Sequence, residues 1–189
     1  MSQTKPLIVG LGGTTRAGSS SEKLLRYALR AAAEKGADTL VFSGPDINLP
    51  MYAPEIPERD EKAVKLIEAL RRADGVIIAS PGYHGSISGL VKNALDYVED
   101  TRHDPRVYFD GMAVGCITAA YGFQAAVVTL TMLRSITHAL RGWPTPLGVA
   151  ANSMGLEFDE TGAPRDAGLK SQLEMLAGQV VEFAGRRAG

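Results

Sequence analysis

Leu7-Ile8-Val9-Gly10-Leu11-Gly12-Gly13-Thr14-Thr15-Arg16-Ala17-Gly18-Ser19-Ser20-Ser21 opens the first structural unit of the chain, and its reading decides the fold. Leu7 to Leu11 is a short, unbroken apolar run, as in a strand buried on both faces. A glycine- and serine-rich turn follows. Then Leu24, Leu25, Ala28, Leu29 and Ala32 recur at helical spacing, and Gly36 stands where a helix should stop. Buried strand, tight loop and amphipathic helix together make one βα unit.

The same pattern recurs along the chain. Thr39 to Phe42 reads as a second strand, and Ala63, Val64, Ile67 and Leu70 mark a second helix. Between them Gly44 to Pro57 holds four prolines and reads as a long loop. Val76 to Ala79 is a third strand, followed by a helix face at Leu90, Val91, Ala94, Leu95 and Val98. Ala113 to Ile117 is a fourth strand, with Val128, Met132, Ile136 and Leu140 along a longer helix. Leu147 to Ala150 is a fifth strand, and Leu169, Leu173, Leu176, Val180 and Phe183 outline the last helix. This alternation implies an α/β three-layer sandwich, a five-stranded parallel sheet with helices on both faces. It fits the flavodoxin-like strand order 2-1-3-4-5, although the strand count is shared with other open α/β sheets. With no internal repeat or linker, residues 1–189 read as a single domain.

Composition narrows the function classes. Apolar residues make up 45% of the 189 residues, charged residues 22%, and the formal net charge is −1. That balance lacks the basic footprint of a nucleic-acid partner. No stretch reaches the ~20 apolar residues of a membrane span. Met1 to Pro6 is polar and the apolar run after it is too brief for a signal peptide. Cys116 is the only cysteine, which excludes an internal disulfide and points to a reducing, cytoplasmic setting. Inside an apolar strand it reads as a small core residue. His84, His103 and His138 lack metal-ligand spacing, so no metal is expected. Asp96, Glu99 and Asp100 read as a solvated helix end, and Trp143 and Met132 as packing residues.

Ligands of open α/β sheets bind beyond the carboxyl ends of the strands, near the switch point. The loops to inspect are therefore Gly12 to Ser21, Ser80 to Ser88 and Thr118 to Phe123. In the first, glycines allow close backbone approach and the helix start offers free N–H groups to an anion. Thr14, Thr15, Ser19, Ser20 and Ser21 add hydroxyls and Arg16 a permanent charge, a set suited to a terminal phosphate. It is not an NTPase P-loop, because Ser19 stands at the lysine position, and no G-x-G-x-x-G is present. In the second loop the Pro81-Gly82 backbone could read the polar edge of a flat heterocycle, with Tyr83 offering an apolar face. His84 has no acidic or hydroxyl partner in view and by itself reads as a solvated loop residue. No triad or carboxylate pair emerges.

Two segments carry a resemblance. Gly13-Thr14-Thr15-Arg16-Ala17-Gly18-Ser19 is similar to the Gly-Ser-x-Arg-x-x-Ser loop of the NADPH-dependent FMN reductase family. Ser80-Pro81-Gly82-Tyr83-His84-Gly85-Ser86-Ile87-Ser88-Gly89-Leu90-Val91-Lys92-Asn93-Ala94-Leu95-Asp96 is similar to its Pro-x-Tyr-Asn-x-Ser-x-Pro-Gly-x-Leu-Lys-Asn-Ala-x-Asp signature. Leu49-Pro50-Met51-Tyr52 also resembles a loop of that family. The resemblance implies that Thr14, Arg16, Ser19 and Ser21, with Ser20 beside them, hold the FMN phosphate. Pro81, Gly82, Tyr83, His84, Gly85 and Ser86 would line the isoalloxazine ring, and Thr118, Ala119 and Tyr121 would close its other side. Thr14 replaces the usual serine, Ser21 the usual asparagine, Gly82 a common glutamate and His84 an asparagine; the third loop lacks the usual glycine cluster.

The activity implied is NAD(P)H-dependent FMN reduction. Hydride passes from NADPH or NADH to FMN, and then to a small acceptor, unless the reduced flavin is released. The flavin carries the chemistry, so no catalytic side chain is assigned. An FMN electron carrier without reductase activity is the alternative, which the near-neutral charge disfavours. The resemblance further implies a homodimer or homotetramer, with Gly44 to Pro57 and the fourth helix at the contact.

Overall fold

In the computed structural model, which describes residues 5–187, β1 (Leu7–Gly12) leads into α1 (Ser20–Glu34) as the pattern requires. Of the polar segment Met1–Pro6, the first four residues lie outside the described residues. Ser19 caps α1, its hydroxyl accepting from the Glu22 amide at 3.4 Å. Gly36, at φ +94°, follows the last turn, where a left-handed residue ends the helix.

The chain continues through β2 (Asp38–Ser43), α2 (Glu61–Arg72), β3 (Gly75–Tyr83), a short return strand β4 (Ser86–Ile87) and α3 (Gly89–Asp96). Then come β5 (Ala113–Ala120), α4 (Phe123–Ala139), β6 (Trp143–Pro144), β7 (Val149–Asn152) and α5 (Ala167–Arg187). β2, β1, β3 and β5 pair in parallel in that order, and β6 and β7 lie along the far side of β5. This is the order 2-1-3-4-5 with a divided fifth strand.

The division corrects the expected strand at Leu147 to Ala150. Pro144 and Pro146 have no N–H to give to a ladder. Leu147 instead donates its amide to the Gln179 side chain at 3.1 Å, and regular pairing resumes only at Val149.

Alternate strand residues feed two cores, one on each face. Ile8, Ile77 and Ile117 pack with α1 and α5, through Leu25, Leu29, Leu176 and Val180. Val9, Leu11, Val76, Ile78, Val114 and Cys116 pack with Leu66, Leu70, Val91, Leu95 and Leu133 of the opposite helices. Cys116 is fully buried, and burial lifts its thiol pKa to about 11.

Three readings need correction. The buried face of α4 is Ala126, Thr129, Leu133 and Thr137, whereas Val128 and Met132 are 43% and 42% exposed. A pattern that scores threonine as polar selects the wrong stripe; Thr137 sits inside because its hydroxyl donates to Leu133 O at 3.0 Å. Trp143 is not packed but 60% exposed. Asp100 is not solvated: both its oxygens accept from Arg59, at 2.6 and 2.8 Å. That pair straps the proline-rich loop. Asn93 helps, donating to Pro50 O at 2.8 Å and accepting from the Tyr52 amide at 2.8 Å. No helix among the described residues is long and apolar enough to cross a membrane.

Candidate functional site

The first loop is held open by backbone fit and a buried carboxylate. A Cβ on Gly12 would lie 1.9 Å from Ala79 O, so only glycine lets β1 end this close to β3. Gly13 N donates to Ala79 O at 3.0 Å, turning the chain over the sheet edge. Beneath the loop, Glu22 accepts from Gly18 N at 2.9 Å, Arg26 Nε at 2.9 Å and Ser43 Oγ at 3.2 Å. Burial pushes the Glu22 pKa up, but these donors and the Arg26 charge outweigh it and hold the carboxyl below its usual range. Thr14 Oγ1 accepts from the Arg16 amide at 3.2 Å, while the Arg16 side chain is exposed and pairs with no acceptor among the described residues.

The second loop is a β-hairpin, tighter than the turn expected. Gly82 and Tyr83 of β3 pair with Ile87 and Ser86 of β4. His84 and Gly85 between them have φ of +51° and +83°, the double left-handed geometry of a two-residue hairpin turn. Asparagine and histidine are among the few side chains that tolerate this region. Ser80 ties the hairpin base, accepting from the Ser88 amide at 3.0 Å and donating to Pro81 O at 2.8 Å. Gly82 rests on α4 and β5: a Cβ there would lie 2.5 Å from Thr129 Oγ1 and 2.9 Å from Ala120 Cβ. A glutamate at this position would be displaced by that contact.

The third loop is set by Asn152 of β7, whose Oδ1 accepts from Gly122 N at 2.9 Å and Met154 N at 3.0 Å. Tyr121 is 80% exposed and Tyr83 53%, and both line one cleft.

The three loops enclose a cleft of about 250 Å³. Thr14, Arg16, Ser19, Ser20 and Ser21 form one end, Pro81, Gly82 and Tyr83 one wall, and Ala119 and Tyr121 the other. His84, Gly85 and Ser86 are not brought to it; they form the hairpin tip and its return. Thr118 is fully buried below, donating to Ala126 O at 2.8 Å. Ala120 and Ser153 also line the cleft and were missed. Ser153 follows the last strand at its carboxyl end, so the switch-point rule extended to every strand would have found it. A larger concavity of about 580 Å³ adjoins along β7 and the start of α5, lined by Phe123, Asn152, Met154, Leu156 and Gln172 among others.

Among the described residues no carboxylate lines the cleft, and the Arg16 cation, without a protein partner there, lines it together with the hydroxyls of Thr14, Ser19, Ser20 and Ser21. Two exposed tyrosines, Tyr83 and Tyr121, line it as well. The set can bind an anionic tail and a flat ring together; it contains no nucleophile and base in mutual reach. Among the described residues no cluster of His, Cys, Asp or Glu is placed to hold a metal.

Sheet order and cleft position define the class: a flavodoxin-like α/β protein with a cleft at the carboxyl edge of the sheet. Residues 6–156 match the NADPH-dependent FMN reductase family, and the chain belongs to it. FMN binding and oxidoreductase chemistry of a general kind accompany that membership. An FMN-dependent NADPH-azoreductase of Staphylococcus aureus is 31% identical over 153 residues, covering 80% of this chain and 74% of that protein. Two solved structures share the fold. An oxidoreductase from Corynebacterium diphtheriae aligns with TM-score 0.69 at 20% identity, covering 95% of this chain and 96% of the other. The flavoenzyme NAD(P)H:(acceptor) oxidoreductase of Paracoccus denitrificans aligns with TM-score 0.72 at 18% identity, covering 96% and 98%.

Proposed function

We propose that this chain is an NAD(P)H-dependent FMN reductase acting as a single domain, with FMN in the 250 Å³ cleft. The observation that carries the reading is the meeting of an unpaired Arg16, the serine-rich start of α1 and two exposed tyrosines around one carboxylate-free cleft. Arg16 and the hydroxyls of Thr14, Ser20 and Ser21 hold the phosphate, with the N–H groups at the start of α1 facing the same anion. Tyr83 and Tyr121 flank the ring, and the backbone of Pro81 to Tyr83 meets its polar edge. FMN, when bound, supplies hydride transfer from the nicotinamide to a second acceptor. The protein supplies orientation and a dry face. The adjoining 580 Å³ groove gives a small aromatic acceptor room beside the ring.

Phe123, Val127, Val128, Met132 and Trp143 expose apolar side chains on and beside α4. In this reading these side chains are covered in a homodimer or homotetramer.

The test is an absorbance spectrum with added FMN, followed anaerobically by NADPH and then NADH. Bleaching of bound flavin by either nucleotide is the expected result. Tight FMN binding without bleaching would favour an electron carrier, and absence of FMN binding would overturn the cofactor site.

A further inference from the structure

Thr129 Oγ1 is the one buried side-chain polar atom without a hydrogen-bond partner among the described residues. A buried hydroxyl left so costs stability. Its own helix offers a ready remedy. On α4, Thr131 donates to Val127 O at 3.1 Å and Thr137 to Leu133 O at 3.0 Å, each taking the carbonyl four residues back. Thr129 leaves that carbonyl unused and turns its oxygen to Gly82, where a Cβ would stand only 2.5 Å away. Gly82 in turn lines the cleft. One glycine, with no side chain in the way, is all that separates an unsatisfied hydroxyl from the wall assigned to the flavin ring.

We propose that Thr129 is a positioning residue for the flavin ring, its hydroxyl gaining a hydrogen bond to the Gly82 peptide when the ring is bound. The inference rests on the FMN reading of the cleft. The ring's polar edge engages the hairpin backbone, the Gly82 peptide adjusts, and the waiting hydroxyl donates to its carbonyl. The cost of the unpartnered Thr129 hydroxyl is thereby recovered on binding, which raises affinity for the ring and does nothing for the phosphate.

The test compares Thr129→Val, which keeps the shape and removes the hydroxyl, with Thr129→Ser, which keeps the hydroxyl. FMN and riboflavin affinities are read by flavin fluorescence quenching, and melting temperature is read on the flavin-free protein. The valine variant is expected to melt at or above wild type while binding both flavins about tenfold more weakly. The serine variant is expected to bind near wild type. A role in packing alone would lower the melting temperature and spare neither variant.

Wild-type affinity in the valine variant would overturn the proposal, as would equal losses in both variants or a loss confined to FMN. Should valine not be accommodated, Thr129→Ala read against Thr129→Ser in the same assay gives the same decision. A wild-type chain that binds neither flavin would bring down the flavin reading itself, and this inference with it.

Discussion

Arg16 is the residue on which the phosphate assignment turns. Its guanidinium is exposed at the cleft and holds no protein acceptor among the described residues. A charge-assisted contact contributes about 1.5–3 kcal/mol. Arg16→Ala should therefore weaken FMN by roughly ten- to a hundredfold and leave riboflavin nearly unchanged, a difference that parallel titrations read directly. Gly12 shows the opposite kind of necessity, steric rather than electrostatic. Gly12→Ala places a methyl 1.9 Å from Ala79 O, a backbone atom fixed in the sheet. A loss of about 3 kcal/mol or more in urea unfolding is expected. His84, which the resemblance assigns to the flavin ring, stands at the hairpin tip with a left-handed φ of +51° and is not among the residues lining the cleft. His84→Asn should accordingly leave both stability and flavin affinity close to wild type, by melting temperature and quenching.

At the scale of elements, two carboxylates join pieces of chain that the sequence leaves far apart. Glu22 links the first loop, α1 and the end of β2. Its folded pKa lies below the ordinary 4.5, so its stabilisation is complete above that value and is lost as pH falls through the folded one. Asp100 follows the same sign, held low chiefly by its hydrogen bonds from Arg59, against burial. Stability should fall as pH drops below the ordinary carboxylate values of 4.5 and 3.8, and Glu22→Gln should flatten that fall in denaturant midpoints taken across the acid range. Asp100→Asn should cost about 1–3 kcal/mol and speed proteolysis within Gly44 to Pro57, because Arg59 loses its partner. These ties were illegible in the sequence. Asp100 reads as a helix-end charge until the loop folds back to bring Arg59 over it. The stripe on α4 was misread for a related reason: threonine is apolar enough to bury once its hydroxyl finds a carbonyl.

For the whole molecule, the apolar side chains that Phe123, Val127, Val128, Met132 and Trp143 expose on and beside α4 are the reason self-association is proposed. Light scattering at micromolar concentration should return a dimer or tetramer mass, and a monomer mass would remove that proposal. The βα alternation, the parallel sheet and the three loops bearing the cleft were legible in the amino-acid sequence, and the strand order fitted it without being singled out by it. They rest on periodicity and on glycine and serine chemistry, which act between near neighbours along the chain. Only the tertiary structure decided that the fifth strand is split and that the second loop is a hairpin whose tip leaves the cleft. It alone brought Ser153 and Ala120 to the cleft wall and set Thr129 without a partner beneath Gly82. Each of these depends on packing between residues distant in sequence, where the closeness of one backbone to another element decides what a side chain can touch.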